Sequence, residues 1–211
     1  MKTDDLIEML SAGPDTARPS ARRMLLPVLG GLSASALIMV VLLGVRPNLL
    51  EELALPAFWG KLVFSLASAA AAWLAAKRLS APGARTASLP FYLGAPVLVV
   101  WLAAAVALLE AAPGMRATLF WGSTWRYCPL LIALISLPVF AAALSVMRKR
   151  APTRLRLAGA AAGFAAGAAA AVIYCLHCPE LSIVFVGFWY LAGMLIPAAL
   201  GALLGPRLLA W

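Results

Sequence analysis

Six long apolar stretches account for most of this 211-residue chain, over residues 25–44, 57–76, 91–112, 127–147, 155–174 and 183–204. Each is close to the ~20 residues that a helix needs to cross ~30 Å of hydrocarbon. Inside a bilayer every backbone N–H and C=O must be bonded within its own segment, so such runs fold as spanning helices. An apolar fraction of 64% with only 12% charged residues is far from the composition of a soluble domain. The expected fold class is all-α: a polytopic membrane protein whose residues 25–211 form a six-transmembrane-helix bundle. A polar tail, residues 1–24, precedes it. The tail carries Asp4, Asp5, Glu8 and Asp15, which sets the first apolar run apart from a cleaved signal peptide.

The net charge of +9 would suit a nucleic-acid binder, but the placement of the charges points to a membrane instead. With the N-terminus in the cytosol and the sides alternating, the inner segments hold Lys2, Arg18, Arg22, Arg23, Lys77, Arg78, Arg85, Arg148, Lys149, Arg150, Arg154, Arg156 and Arg207. That is 13 of the 17 basic residues. Arg46, Lys61, Arg116 and Arg126 fall outside. The positive-inside rule therefore selects an N-in/C-in topology with both termini cytosolic. The Arg148–Arg156 cluster reads as a solvated edge against anionic membrane lipid, and no nucleic-acid partner is expected.

This topology sends all three cysteines to one side. Cys128 lies at the outer end of the fourth span, and Cys175 and Cys178 lie between the fifth and sixth. That side is the exterior, where disulfides can form and persist. The short segment Tyr174-Cys175-Leu176-His177-Cys178-Pro179-Glu180 also holds the only histidine. Three readings of these thiols stay open. They can be small apolar packing residues. Cys128 and Cys178 can form a disulfide that closes about 50 residues and constrains helix arrangement. Or Cys128, Cys178, His177 and Glu180 can clip a thiophilic metal ion transiently, although their spacing matches no structural zinc motif. The Cys175–Cys178 pair has C-x-x-C spacing, but the βαβ context of a redox fold is missing. No resident cofactor is expected.

Other features fill in the bundle. Gly159, Gly163 and Gly167 form a small-xxx-small face for close helix approach, either within the chain or in a homodimer. Pro96, Pro138 and Pro197 interrupt spans three, four and six. Lys61, in the first turn of span two, is expected to snorkel outward. Trp59, Trp73, Trp101, Trp121, Trp125, Tyr127, Trp189 and Tyr190 read as interfacial anchors. Catalysis finds little support, because every aspartate lies in the tail and the histidine lies across the bilayer from it. P-loop, dinucleotide and H-E-x-x-H motifs are all missing. The chain is not expected to be an enzyme; a quinone-linked membrane thiol-disulfide oxidoreductase is the alternative. A small-molecule or metal transporter ranks third, since no intramembrane carboxylate is present.

In the tail, Thr3 to Asp5 are N-cap residue types, Glu8 follows Asp5 by three, and Leu6, Met9 and Leu10 share one helical face. Two turns do not hold alone, so the segment suits folding on a cytosolic partner.

Together these pieces resemble the NrsF-type membrane anti-sigma factors, which hold an extracytoplasmic-function sigma factor of the SigF class inactive. The resemblance rests on Lys2-Thr3-Asp4-Asp5-Leu6-Ile7, the six-span layout, Cys128 at the outer start of span four, and His177-Cys178-Pro179-Glu180 before span six. It runs over essentially the whole chain. It implies a multi-pass protein of the bacterial inner membrane whose tail residues Asp4, Asp5, Leu6, Ile7, Met9 and Leu10 bind the sigma factor. It also implies two sensor thiols, Cys128 and Cys178, through which heavy metals or oxidative stress relieve inhibition. Cys175 is then an extra thiol with an open role.

Overall fold

A computed structural model describes Thr3, Asp5 and residues 21–81, 83 and 86–210. Among the described residues from 21 onward eight helical elements follow one another, and six are long and apolar enough to cross a membrane. They are α1 (Ala21–Leu42), α3 (Pro56–Leu79), α4 (Leu89–Glu110), α6 (Cys128–Arg148), α7 (Leu155–Tyr174) and α8 (Ile183–Leu208). Two short helices, α2 (Leu49–Leu53) and α5 (Pro113–Trp121), lie in the first and third connections. Proline occupies the first turn of α3, α4, α5 and α6, where its missing N–H costs no helix bond.

Helix α7 is the centre of the bundle and packs on α8, α3 and α6. Its spanning window is 67% buried, against 11% for α4, which is therefore peripheral. Small residues make this possible. A Cβ on Gly159 would collide with the Gly201 carbonyl, one on Gly163 with the Pro197 carbonyl, and one on Gly167 would stand 2.8 Å from the Met194 Cα. Gly201 and Gly205 return the same contacts toward Gly159 and Leu155. Backbones thus meet almost directly, the arrangement that dispersion forces favour where lipid offers no hydrophobic drive. Of the two readings of the Gly159, Gly163 and Gly167 face, the structure shows packing within the chain, because α8 covers that face; the homodimer reading through these residues loses its surface.

Helix α1 packs mainly on α6. Gly31 lies against Pro138 and Val139, with a Cβ only 2.9 Å from the Pro138 carbonyl. Buried Ser35 donates to the Ile135 carbonyl at 2.7 Å, near the proline that disturbs the α6 ladder.

Near its start α8 widens into a π-helical turn, Val186–Tyr190. The Trp101 indole donates to the Gly187 carbonyl inside that turn at 2.9 Å, and its ring stacks on Phe188. Trp121, Trp125 and Trp189 meet Phe120 in an aromatic cluster, and Trp189 donates to the Phe120 carbonyl. Trp101 and Trp189 thus join helices and do not act as plain interfacial anchors. Tyr190 is likewise fully buried in the core. Trp59 keeps the anchor character, half exposed with its N–H on the Leu53 carbonyl.

The described chain begins and ends at the same end of the bundle, since Arg150 after α6 reaches Met24 at the start of α1 and Gly205 of α8 abuts Leu155. The opposite end carries the cysteines.

Candidate functional site: a sealed thiol cluster

Three local structures converge at the thiol end. Cys128 is the first residue of α6, its N–H bonded to the Thr124 carbonyl. Cys175 caps α7, and a tight turn then brings the Cys178 N–H back to the Tyr174 carbonyl at 3.0 Å. The three thiols are free and buried to within 1% of completely. Cys128 and Cys178 lie close enough for each to bear on the other's ionisation. Cys175 meets Ser65 of α3, 3.9 Å from its hydroxyl. Tyr174 and Tyr190 pack ring to ring beneath them.

The largest departure from the sequence reading is Lys61. It does not snorkel: its side chain is fully buried. Its ammonium donates to the Cys178 carbonyl at 2.9 Å and the Glu180 carbonyl at 3.2 Å, over the Phe58 ring. Distance along a helix says how near a side chain stands to the interface, but the face it occupies decides where it can go. Lys61 shares its face with Ser65 and Ser68, both fully buried. That i, i+4, i+7 run of polar residues in an apolar span is the signal that could have placed it inward.

Charge and hydrogen bonding separate the two cysteines of the turn. Hydrogen bonding from Cys128 holds the Cys178 thiol down at about 6, with help from the Glu180 backbone N–H and Lys61, while burial opposes the shift. Burial pushes the Cys175 thiol up to about 11. Cys178 is thus the turn thiol whose surroundings favour the thiolate, and Cys175 the one whose burial opposes it.

His177 and Glu180 have other tasks. The His177 Nδ1 meets the Gly44 carbonyl at 3.1 Å, and the Arg46 N–H donates to the Leu176 carbonyl. The connection after α1 therefore straps over the thiol turn, and Arg46 is braced by an ion pair with Glu52 of α2. The Glu180 carboxylate accepts from the Ser123 N–H and hydroxyl at 2.7 Å and from the Thr124 N–H at 3.2 Å. Successive backbone N–H groups turned on one anion form a nest. Gly122, at φ +54°, makes the bend, and a Cβ there would stand 2.7 Å from the Glu180 carboxylate. Glu180 thus ties the Cys178 loop to the entrance of α6, where Cys128 sits. The four-ligand set Cys128, Cys178, His177 and Glu180 is not assembled around one point, and no group of three or more His, Cys, Asp or Glu among the described residues could hold a metal ion. The donors that do converge are two thiols.

Of the tail residues singled out for sigma binding, Asp5 is helical and exposed, as is Thr3. Asp4, Leu6, Ile7, Met9 and Leu10 lie outside the described residues.

The family model described as "Negative regulator of sigma F" (NrsF) matches residues 10–211. The chain is similar to the "Probable anti-sigma-F factor NrsF" of Azospira oryzae, 54% identical over 213 residues, with the whole of both chains covered. It is also similar to the "Anti-sigma-F factor NrsF" of Caulobacter vibrioides, 35% identical over 215 residues, again with both chains wholly covered. No solved structure matches it.

Proposed function

Because the chain belongs to the NrsF family, negative regulators of sigma F, we propose that it is an inner-membrane anti-sigma factor that sequesters an extracytoplasmic-function sigma factor and releases it when Cys128 and Cys178 react on the periplasmic side. One observation carries the link between thiols and tail. Helix α1 begins at Ala21, where the tail joins it, and the chain after its other end is bonded to the thiol turn through Gly44–His177 and Arg46–Leu176. The same helix rests on α6, which begins at Cys128, through Ser35–Ile135 and Gly31–Pro138. A change of thiol state acts on both supports of α1 at once.

Two chemistries suit the pair. A thiophilic divalent cation binds the Cys178 thiolate and the Cys128 sulfur and displaces the Cys128 proton. Alternatively hydrogen peroxide oxidises the pair: the S–S bond forms, the O–O bond breaks, two electrons pass to the peroxide, the Cys128 proton leaves with its oxygens, and these depart as water and hydroxide. Either event replaces the thiol–thiolate contact with a coordinate or covalent link between the two sulfurs. That removes the Cys178 negative charge beside Lys61 and repacks the turn. The effect on the tail requires two arrangements of the bundle with different affinities for the sigma factor. The positive-inside distribution supports a cytosolic tail and periplasmic thiols.

The test uses Cys128→Ser and Cys178→Ser chains with a reporter of the sigma regulon. Each single variant is expected to lose induction by cadmium or peroxide, whereas Cys175→Ser keeps it. Normal induction in both single variants would remove the sensor assignment. For the tail, Leu6→Asp with Leu10→Asp is expected to abolish co-purification with the sigma factor. Unchanged co-purification would move the binding surface elsewhere.

A further inference from the structure

At the end opposite the thiols, a groove of about 710 Å³ opens between α1 and α3. Met24, Leu25 and Val28 of α1 form one wall, Trp73 and Ala76 of α3 the other, and Ala165 of α7 lies among the lining residues. The volume falls within the ~300–1,000 Å³ typical of small-molecule sites. Its lining is apolar below and cationic at the mouth, where Lys77, Lys149 and Arg150 gather.

The mouth is built. The Arg150 guanidinium lies across it, donating to the Ser80 hydroxyl at 3.0 Å on the α3 side and to the Met24 sulfur at 3.4 Å on the α1 side. Ser80 is itself fixed by donating to the Lys77 carbonyl at 2.7 Å. Lys77 and Lys149 are exposed on either side. All four glutamates beyond the tail, Glu51, Glu52, Glu110 and Glu180, lie toward the thiol end, where Glu52 pairs with Arg46 and Glu180 with the Ser123 nest. The charged side chains that line the groove are thus all cations, over an apolar slot between the spanning helices.

We propose that this groove is a binding site for one anionic phospholipid, with an acyl chain between α1 and α3 and the phosphate on Lys77, Lys149 and Arg150. A soluble anion would use the mouth and leave the slot empty. A zwitterionic lipid would fill the slot but gain little from three cations. An anionic phospholipid matches both parts, as basic pockets between spanning helices commonly do. Because α1 carries the tail, occupancy bears on the helix that the thiol site also supports.

The test titrates full-length protein in detergent micelles with brominated phosphatidylglycerol or brominated phosphatidylcholine and follows tryptophan quenching. The difference between the natural chain and Trp73→Phe isolates the indole that lines the groove. Phosphatidylglycerol is expected to quench that component at a concentration at least tenfold below phosphatidylcholine. The preference is expected to vanish in Lys77→Gln/Lys149→Gln, whose side chains are exposed and leave the packing untouched. It is expected to persist in Arg154→Gln/Arg156→Gln, which loses the same charge elsewhere. Equal quenching by the two lipids in the natural chain would reduce the groove to ordinary annular contact and overturn the proposal. So would a preference retained in the lysine pair. A chain lacking residues 1–20 in which both lipids quench Trp73 far more readily would show the tail to be the occupant and would also overturn it.

Discussion

Replacing Lys61 by Met tests the central claim about the thiol site, that a buried cation holds the Cys178 turn in place. The change is close to isosteric, so it adds no large cavity. It removes two charge-assisted hydrogen bonds, to the Cys178 and Glu180 carbonyls. Each such bond contributes about 1.5–3 kcal/mol, so about 3–6 kcal/mol of interaction is lost. Against this, a buried ammonium no longer has to be desolvated, a cost of several kcal/mol in its own right. The two terms largely cancel, and what remains is the cost of two carbonyls left short of donors, about 1–3 kcal/mol for each. The bundle should therefore survive while the turn loosens. The specific effect falls on Cys178. The Cys178 thiol is held below its ordinary value, chiefly by hydrogen bonding from Cys128, and Lys61 is one of the further groups that favour its charge. Without Lys61 the titration midpoint rises. The assay is alkylation by a small iodoacetamide across pH, with each cysteine resolved by mass spectrometry of its peptide. Lys61→Gln separates the causes, since it keeps a donor and lacks the charge. If the Cys178 midpoint in Lys61→Met matches that of the natural chain, Lys61 is no counter-charge and the electrostatic part of the argument fails.

Three more expectations can be checked on purified protein. Gly163→Ala puts a methyl into the Pro197 carbonyl, so α7 and α8 must separate; overpacking of ~1–3 kcal/mol should lower the melting temperature in detergent, and an unchanged value would contradict the close packing. Glu180→Gln weakens the nest over Ser123 and Thr124 by about 1.5–3 kcal/mol, so a bulky maleimide should label Cys128 and Cys178 at least several-fold faster; equal labelling would show that the clip does not guard them. Stability should also follow pH through the two turn cysteines. The depressed Cys178 thiol contributes stability that is present above its ordinary value near 9 and lost as pH falls toward about 6. The raised Cys175 thiol makes stability fall as pH climbs from about 9 toward 11. The difference in melting temperature between the natural chain and Cys178→Ser should thus grow from pH 6 to 9, and a flat difference would refute the shift.

The spans were legible because apolar residues at helix length leave the backbone few alternatives, and each observed helix overlaps its expected segment. The first helix reaches back to Ala21, before the apolar run at residue 25, because nothing between those positions breaks a helix. The short helices α2 and α5 were not anticipated; at 5 and 9 residues they carry too little pattern to stand out. The convergence of Cys128 with Cys178 was half legible. Topology brought them to one end, but only packing brought them into contact. The roles of His177 and Glu180 could not be read, because their partners, Gly44 and Ser123, are backbone groups far away in the chain. The π turn was equally silent, since Val186-Gly187-Phe188-Trp189-Tyr190 has no composition that distinguishes it from an ordinary helical turn.

The complete burial of Cys128 and Cys178 has a kinetic consequence. A group with no accessible surface reacts with a bulky reagent at its intrinsic rate multiplied by the fraction of time that its cover is open. An opening that costs about 2.8 kcal/mol admits such a reagent about one hundredth of the time, while an ion small enough to slip past the cover meets no such delay. The strap of Gly44 and Arg46 over the turn thus sets when a bulky reagent can reach the sulfurs. Under the proposed sensing role, substitutions in the strap would change how long an exposure must last before the thiols respond, without altering the chemistry of either sulfur.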